Sequence, residues 1–484
     1  MTPIGWVLIP LGLVLLILRP RWLFILTVFF VPFSATAVIN RGSGDSASGI
    51  SPYLFFGFLM LLRECVNLTR RFRFRFARPL RRPLYLLMGF VLVCLASLIM
   101  PMLISGRLQI MDRPTIEYDL VPLQYSLQTV NHALSLIFDA VVTAVIAHRS
   151  LEVKQFYSTL RIYFVSGIFV CLWGWMQFGC YLAGTPYPAA VFNNNASPNA
   201  LGYESVLESL GVVRVSSVAL EPSFLSRVLV GMLAICVVAI YRKTPIFSRR
   251  LDYSVLALIG STIVITTAST GYVGVAMLLV LLPFLPSERR TSKFFLVASG
   301  FIVLAALAAI YFTVPAAADL LNSQLFNKAE AGSVVERAVV ISNDFQYFLD
   351  YPVLGIGWDS APTHDVIVGL LANCGLCGLA AFGLLIGGVT FALRKSSALS
   401  ASGERRGGPP ALMLLTLVIT CGVYIISGGI ELPDFWMILA LSIAAVGVGF
   451  NNSQAACAVG DRPKLERYGA GTVPRFPDVP TPTL

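Results

Sequence analysis

VIVGLLANCGLCGLAAFGLLIGGVTFAL, residues 366–393, contains no charged side chain from end to end. As an α-helix rising about 1.5 Å per residue, it is longer than the roughly 30 Å hydrocarbon layer of a bilayer. Inside that layer only a helix or a closed barrel satisfies every backbone amide and carbonyl. Outward from this run, similar apolar stretches recur along nearly the whole chain: Ile4–Leu18, Trp22–Ile39, Ile50–Leu62, Leu84–Ile104, Ser126–Ala147, Tyr157–Leu182, Pro222–Tyr241, Tyr253–Ala268, Gly271–Leu285, Phe294–Val314, Ala411–Gly428 and Phe435–Phe450. With Val366–Leu393 they predict an all-α polytopic membrane protein of about 13 transmembrane helices. The composition agrees: mean hydropathy is +0.78, and only 12% of the 484 residues are charged, which no soluble domain of this length requires. Residues 1–450 are thus expected to form one integral membrane domain. Residues 451–484, rich in proline and poor in large apolar side chains, are expected to be a disordered cytoplasmic tail.

Orientation follows from the lysines and arginines, because cytoplasmic loops accumulate them. If the turn with Arg19 and Arg21 is inside, 28 of the 35 Lys and Arg share that side, including the block from Arg63 to Arg82. The seven left over are Arg41, Arg107, Arg113, Arg214, Arg227, Lys328 and Arg337, in or beside outer loops. The net charge of +10 is therefore mostly an inner-leaflet feature, pointing to anionic membrane lipids as partners and away from nucleic acid. Phe72, Phe74 and Phe76, interleaved with arginines beside a span, suit a lipid surface. Met1-Thr2-Pro3 carries no basic residue ahead of the first run, so a cleaved signal peptide is not expected.

Two extracytoplasmic segments are longer than connections need to be, about 183–221 and 315–365, and long loops of this kind are usually functional. The first carries Asn193-Asn194-Asn195 and then Arg214 ahead of Glu221-Pro222-Ser223. Pro222 suits a first helical turn, Glu221 would sit against that helix's positive end, and Arg227 would lie just below the interface. In the second, helical periodicity from Ser333 to Tyr351 ends at Pro352, followed by Gly355-Ile356-Gly357 and then His364-Asp365 where the next span begins. The nine cysteines lie mostly within apolar runs. Cys374 and Cys377 form a C-x-x-C with no second pair or nearby histidine, so they read as small hydrophobes.

Three of these segments together resemble the superfamily of O-antigen ligases and oligosaccharide repeat-unit polymerases of bacterial envelopes. Asp350-Tyr351-Pro352-Val353-Leu354-Gly355-Ile356-Gly357, His364-Asp365 and Gly375-Leu376-Cys377-Gly378 are similar to its Pro-x-x-Gly-x-Gly, His-Asn and Gly-x-x-Gly pattern, with Arg337 as the arginine opening the preceding helix. Arg214 with Glu221-Pro222-Ser223 resembles a stretch common in its exopolysaccharide polymerases, and Thr267–Gly271 resembles its outer Ser-Arg-Gly turn. Thr270 stands where that turn has arginine, and Asp365 where the pair has asparagine, which would give His364 a neighbouring acid. The resemblance spans roughly Leu160–Phe450. It implies a GT-C-like glycosyltransferase in the bacterial inner membrane that works at the periplasmic face on undecaprenyl-pyrophosphate-linked glycan donor and acceptor. A chain-length regulator and a flippase would be its partners.

The residues suit that chemistry. A pyrophosphate leaving group must be gripped and neutralised, and Arg214, Arg337 and Arg227 are the arginines in or beside the two loops. No outer carboxylate set resembles a magnesium site, so a metal-independent reaction without cofactor is expected. Among His132, His148 and His364, only His364 falls in an outer loop, making it the expected base, with Glu221 the alternative. Asp139, in the fifth run, is expected to pair with an arginine. The functional expectation is polymerisation of lipid-linked repeats into a surface polysaccharide. The alternatives are an O-antigen ligase delivering glycan to lipid A core and a flippase for the same lipids, although a transporter would place its charged groups nearer the midplane.

Overall fold

A computed structural model of the protein describes residues 1–42, 48–71, 78–111, 120–197, 204, 206–207, 212–284, 332–400 and 408–460. The expected run Phe294–Val314, the first part of the second long loop (315–331), the aromatic and basic stretch 72–77, and residues 461–484 of the tail lie outside these. The described helices are α1 (Gly5–Leu18), α2 (Arg21–Phe29), α3 (Pro52–Arg71), α4 (Arg81–Ser97), α5 (Met100–Leu103), α6 (Leu127–Arg149), α7 (Val153–Leu182), α8 (Ala189–Phe192), α9 (Pro222–Arg242), α10 (Arg249–Ile265), α11 (Ser269–Leu281), α12 (Gly332–Asp350), α13 (Val366–Ser400), α14 (Gly408–Ser427) and α15 (Pro433–Gly460). Three two-stranded antiparallel hairpins punctuate them: β1 (Ile39–Arg41) with β2 (Ser48–Ile50), β3 (Gln109–Met111) with β4 (Leu120–Pro122), and β5 (Val206–Leu207) with β6 (Val212–Val213).

The molecule is an all-α membrane protein, and among its described residues seven helical segments are long and apolar enough to cross a bilayer: Arg78–Leu103, α6, α7, α9, Val366–Ala398, α14 and Pro433–Asn451. Gly5–Leu18 and Ser269–Phe284 are shorter apolar helices. The clearest departure from the expected runs is Trp22–Ile39. Only Arg21–Phe29 is helical there, roughly 14 Å at 1.5 Å per residue, because Pro32 cannot continue the ladder. The chain instead turns and comes back as β1, with Thr2 Oγ1 donating to the Ala37 carbonyl at 2.6 Å. At the other end α15 continues to Gly460, ten residues past the expected close of the last span.

Helices α9 and α15 are buried over most of their length, and α14 packs on both. Around them, α13 packs on α4, α12, α14 and α15, while α10 and α11 pack on α9. The outside of the bundle is apolar as well: Ile17 is 78% exposed and Phe391 70%, which suits a lipid-facing surface and no aqueous one. Charged groups inside the bundle are partnered. Asp139 accepts a 2.9 Å hydrogen bond from the Tyr53 hydroxyl, so its partner is a tyrosine and not the expected arginine. Where α6 and α3 end, Arg149 pairs with Glu64.

Candidate active site at one end of the bundle

The motif that ends α12 and the one that interrupts α13 are two halves of one backbone interlock. Helix α13 is broken at Gly375, with φ 63° and ψ −163°, a conformation essentially reserved for glycine. The break strands carbonyls and amides at membrane depth, where each needs a partner within the protein. The loop from Pro352 to Gly357 supplies them: Ile356 and Gly357 amides donate to the Ala372 and Asn373 carbonyls (2.8 and 2.9 Å), while Leu376 and Cys377 amides donate back to Pro352 and Val353 (2.8 and 3.2 Å). The approach is so close that a Cβ on Gly355 would strike the backbone of 372–374, and one on Gly375 the backbone of 353–354. Asn373 completes the join, its Oδ1 accepting from the Ser360 and Ala361 amides at 2.9 Å. Thus Gly355, Gly375 and Asn373 fix the path of the segment that carries His364.

The Asp365 carboxylate caps α13, accepting from the Ile367 and Val368 amides at 2.7 and 2.8 Å. Its Oδ1 is thus engaged at the helix end. The acid in electrostatic reach of His364 is Glu221.

The first loop is fastened just as firmly. Asn193 donates to the Ser217 carbonyl at 2.8 Å, and Asn194 accepts from the Ala37 amide at 2.7 Å. Ser217, at positive φ, takes its own amide to Gln177 on α7 (2.8 Å) and its hydroxyl to the Val170 carbonyl (2.7 Å). The asparagine run is thus a set of bolts for the stretch 214–221. That stretch leaves Arg214 half-buried beside the end of α10 and Glu221 exposed at the start of α9, where its carboxylate accepts from Ser223 at 3.0 Å.

Arg214 and Glu221 of the first long loop then come within electrostatic reach of residues far along the chain. Arg214 senses the charges of Glu221, Arg337 and Tyr272, and His364 senses those of Arg337 and Glu221. Burial pulls the Arg214 guanidinium below its ordinary pKa, Glu221 opposes the shift, and Arg337 adds to it. Burial likewise holds His364 below the usual histidine value, Arg337 reinforces this, and Glu221 partly restores it. Two arginines that repel one another, with a carboxylate in electrostatic reach of Arg214, form a place an anion would stabilise. The Arg214 Nε is in addition buried without a hydrogen-bond partner. Helix α12, which carries Arg337, rests on the β3–β4 hairpin through Tyr347, whose hydroxyl donates to the Gln109 carbonyl at 3.3 Å.

Arg227 lies one layer lower. It is 4% exposed, its guanidinium sits 4.1 Å from the Phe224 ring and 4.8 Å from the Tyr424 ring, and Nη1 donates to the Ser427 carbonyl at 3.2 Å. A Cβ on Gly428 would come within 3.5 Å of Arg227 Nη1 and 3.7 Å of the Thr363 carbonyl, so the guanidinium lies near the segment that carries His364. Thr270 is buried in the first turn of α11, and Tyr272 is the residue of that turn in reach of Arg214. Asp434 is buried and accepts from the Tyr424 hydroxyl at 2.7 Å.

Two residues that the sequence did not single out, Trp358 and Asp359, join this end of the molecule, together with His132, which the sequence placed outside the outer loops. His132 lies in the second turn of α6, and its Nδ1 is 3.1 Å from Oδ2 of Asp359, in the loop leading to His364. Asp359 and Trp358 line a small crevice with Thr363, Val366, Asn373 and Glu431. The spacing of His132 from the capping box at Ser126 and Thr129 is the signal that could have placed it near the membrane surface and not in mid-span. Among the described residues no group of three or more His, Cys, Asp or Glu could hold a metal ion. The chain matches no protein-family model and no curated protein.

Proposed function

We propose that the protein is a GT-C-like glycosyltransferase of the bacterial inner membrane that polymerises undecaprenyl-pyrophosphate-linked repeats into a surface polysaccharide at the periplasmic face. The observation that carries this reading is that Glu221 and Arg337 each lie in electrostatic reach of both Arg214 and His364. Arg214 and Arg337 grip the diphosphate of the donor and neutralise the charge that develops as the glycosyl bond breaks. Arg227 acts by holding the turn at Ser427 in place through its bond to that carbonyl. His364, kept neutral by burial and by Arg337, takes the proton of the acceptor hydroxyl as that oxygen bonds to the anomeric carbon. Glu221 is the alternative base. One direct displacement inverts the anomeric configuration, and undecaprenyl pyrophosphate leaves with the bonding electrons.

The reading is tested in cells that make the polysaccharide. Arg214→Ala, Arg337→Ala and His364→Ala are expected to leave the protein inserted while chain lengthening stops and single lipid-linked repeats collect on the outer leaflet. Repeats collecting on the inner leaflet would make the protein a flippase. Full-length polymer that never reaches lipid A core would make it a ligase.

A further inference from the structure

Arg227 and Asp434 are opposite charges inside the bundle, 4% and 6% exposed. An ionised side chain persists at membrane depth only where an opposite charge or strong hydrogen bonds replace its water. Among the described residues no carboxylate pairs with Arg227 directly. Tyr424 contacts both charges: its ring lies 4.8 Å from the guanidinium, and its hydroxyl donates to Asp434 Oδ2 at 2.7 Å. A phenol that donates to a carboxylate gains electron density in its ring, which strengthens the pull on a cation over the ring face. Tyr424 is itself buried, so little solvent screens either contact. The cation that acts electrostatically on Asp434 is Arg227.

Each charge also sits at the helix end it suits. Arg227 Nη1 donates to the carbonyl of Ser427, the last residue of α14, and Asp434 lies in the first turn of α15. A cation at the carbonyl end of a helix and an anion at the amide end each complement the helix dipole. We infer that Asp434 is the counter-ion of Arg227, joined to it through the ring and hydroxyl of Tyr424, and that this buried pair closes the turn between α14 and α15. That turn passes close to the Thr363 carbonyl at Gly428. Resting on the function proposed above, the pair therefore also steadies the segment that carries His364. Were Asp434 only a helix-end charge and Arg227 only a donor to Ser427, each would act alone.

The test is a mutant cycle read by thermal unfolding of the full-length protein in lipid nanodiscs. Asp434→Asn keeps an oxygen that accepts from Tyr424 and removes the charge. It should lower the unfolding temperature by about 2 °C or more in wild type and in Arg227→Lys, which retains the cation. It should not lower it in Arg227→Met, where the carboxylate has already lost its counter-ion. Equal lowering in all three backgrounds, or none in wild type, overturns the inference. A second readout needs no Arg227→Met protein: the Arg227 guanidinium NMR signals, identified by their loss in Arg227→Lys, should move in Asp434→Asn and in Tyr424→Phe. Signals unmoved in both overturn the pairing. In the chain-lengthening assay Asp434→Asn should lower kcat more than it raises the acceptor KM. An unchanged kcat alongside the expected unfolding pattern overturns the link to His364 alone. If lengthening survives Arg214→Ala and His364→Ala, the proposed function fails, and the unfolding cycle still decides the pair.

Discussion

Replacing Gly375 by alanine tests the interlock that aims His364. Alanine at φ 63° and ψ −163° carries about 1–3 kcal/mol of backbone strain. The added Cβ would also occupy the space of the Val353 carbonyl, so the Pro352–Gly357 loop must lift away. That removes the two backbone bonds linking 352–353 to 376–377; counting only the Leu376 and Cys377 amides that lose their acceptors, each costs about 1–3 kcal/mol in a buried setting. The total is about 3–9 kcal/mol, comparable with the 5–15 kcal/mol that holds a typical folded domain together. Gly383→Ala is the control: it lies in the same helix, a Cβ there meets nothing within 4 Å, and alanine should be neutral or stabilising by up to about 1 kcal/mol. The assay is thermal unfolding of the full-length protein in nanodiscs, followed by chain lengthening. Gly375→Ala is expected to unfold well below both wild type and Gly383→Ala and to lose transfer. Equal unfolding temperatures for the two alanine variants would refute the interlock as the element that positions the site.

Other outcomes follow from the same geometry. Asn373→Ala, which deprives the Ser360 and Ala361 amides of their acceptor, should lower the unfolding temperature and reduce transfer together, checked by the same two assays. Arg227→Ala should destabilise the bundle through loss of its ring contacts and its bond to Ser427, whereas Arg214→Ala, with its Nε already unpartnered, should leave the unfolding temperature near wild type while abolishing transfer. Because His364 is held below the ordinary histidine pKa, its neutral form persists to lower pH, so kcat/KM should rise with pH through that depressed value and then level off. Removing the Arg337 charge should raise the His364 pKa and Glu221→Gln should lower it, read by NMR titration of the imidazole in nanodiscs; a value unmoved in both variants would contradict the electrostatic account of His364.

The membrane class was legible because hydropathy reports burial in lipid directly. Helix lengths were less so. Periodicity cannot tell a span from an apolar segment that turns back, as Trp22–Ile39 does at Pro32. Arg214, Glu221, Arg337 and His364 were legible as polar groups in long loops flanking apolar runs, and the glycine motifs marked where backbone approaches backbone. The sequence could not show that Asp365 Oδ1 caps a helix, that Arg227 lies against Phe224 and Tyr424, or that His132 reaches Asp359. Each of these depends on contacts between elements far apart in the chain, which no local spacing encodes.

The gripping of a diphosphate by Arg214 and Arg337 is tested most directly by titrating undecaprenyl pyrophosphate into full-length protein in nanodiscs. Wild type and His364→Ala should bind alike, and either Arg214→Ala or Arg337→Ala should weaken binding about tenfold or more. Undiminished binding in both arginine variants would contradict the account.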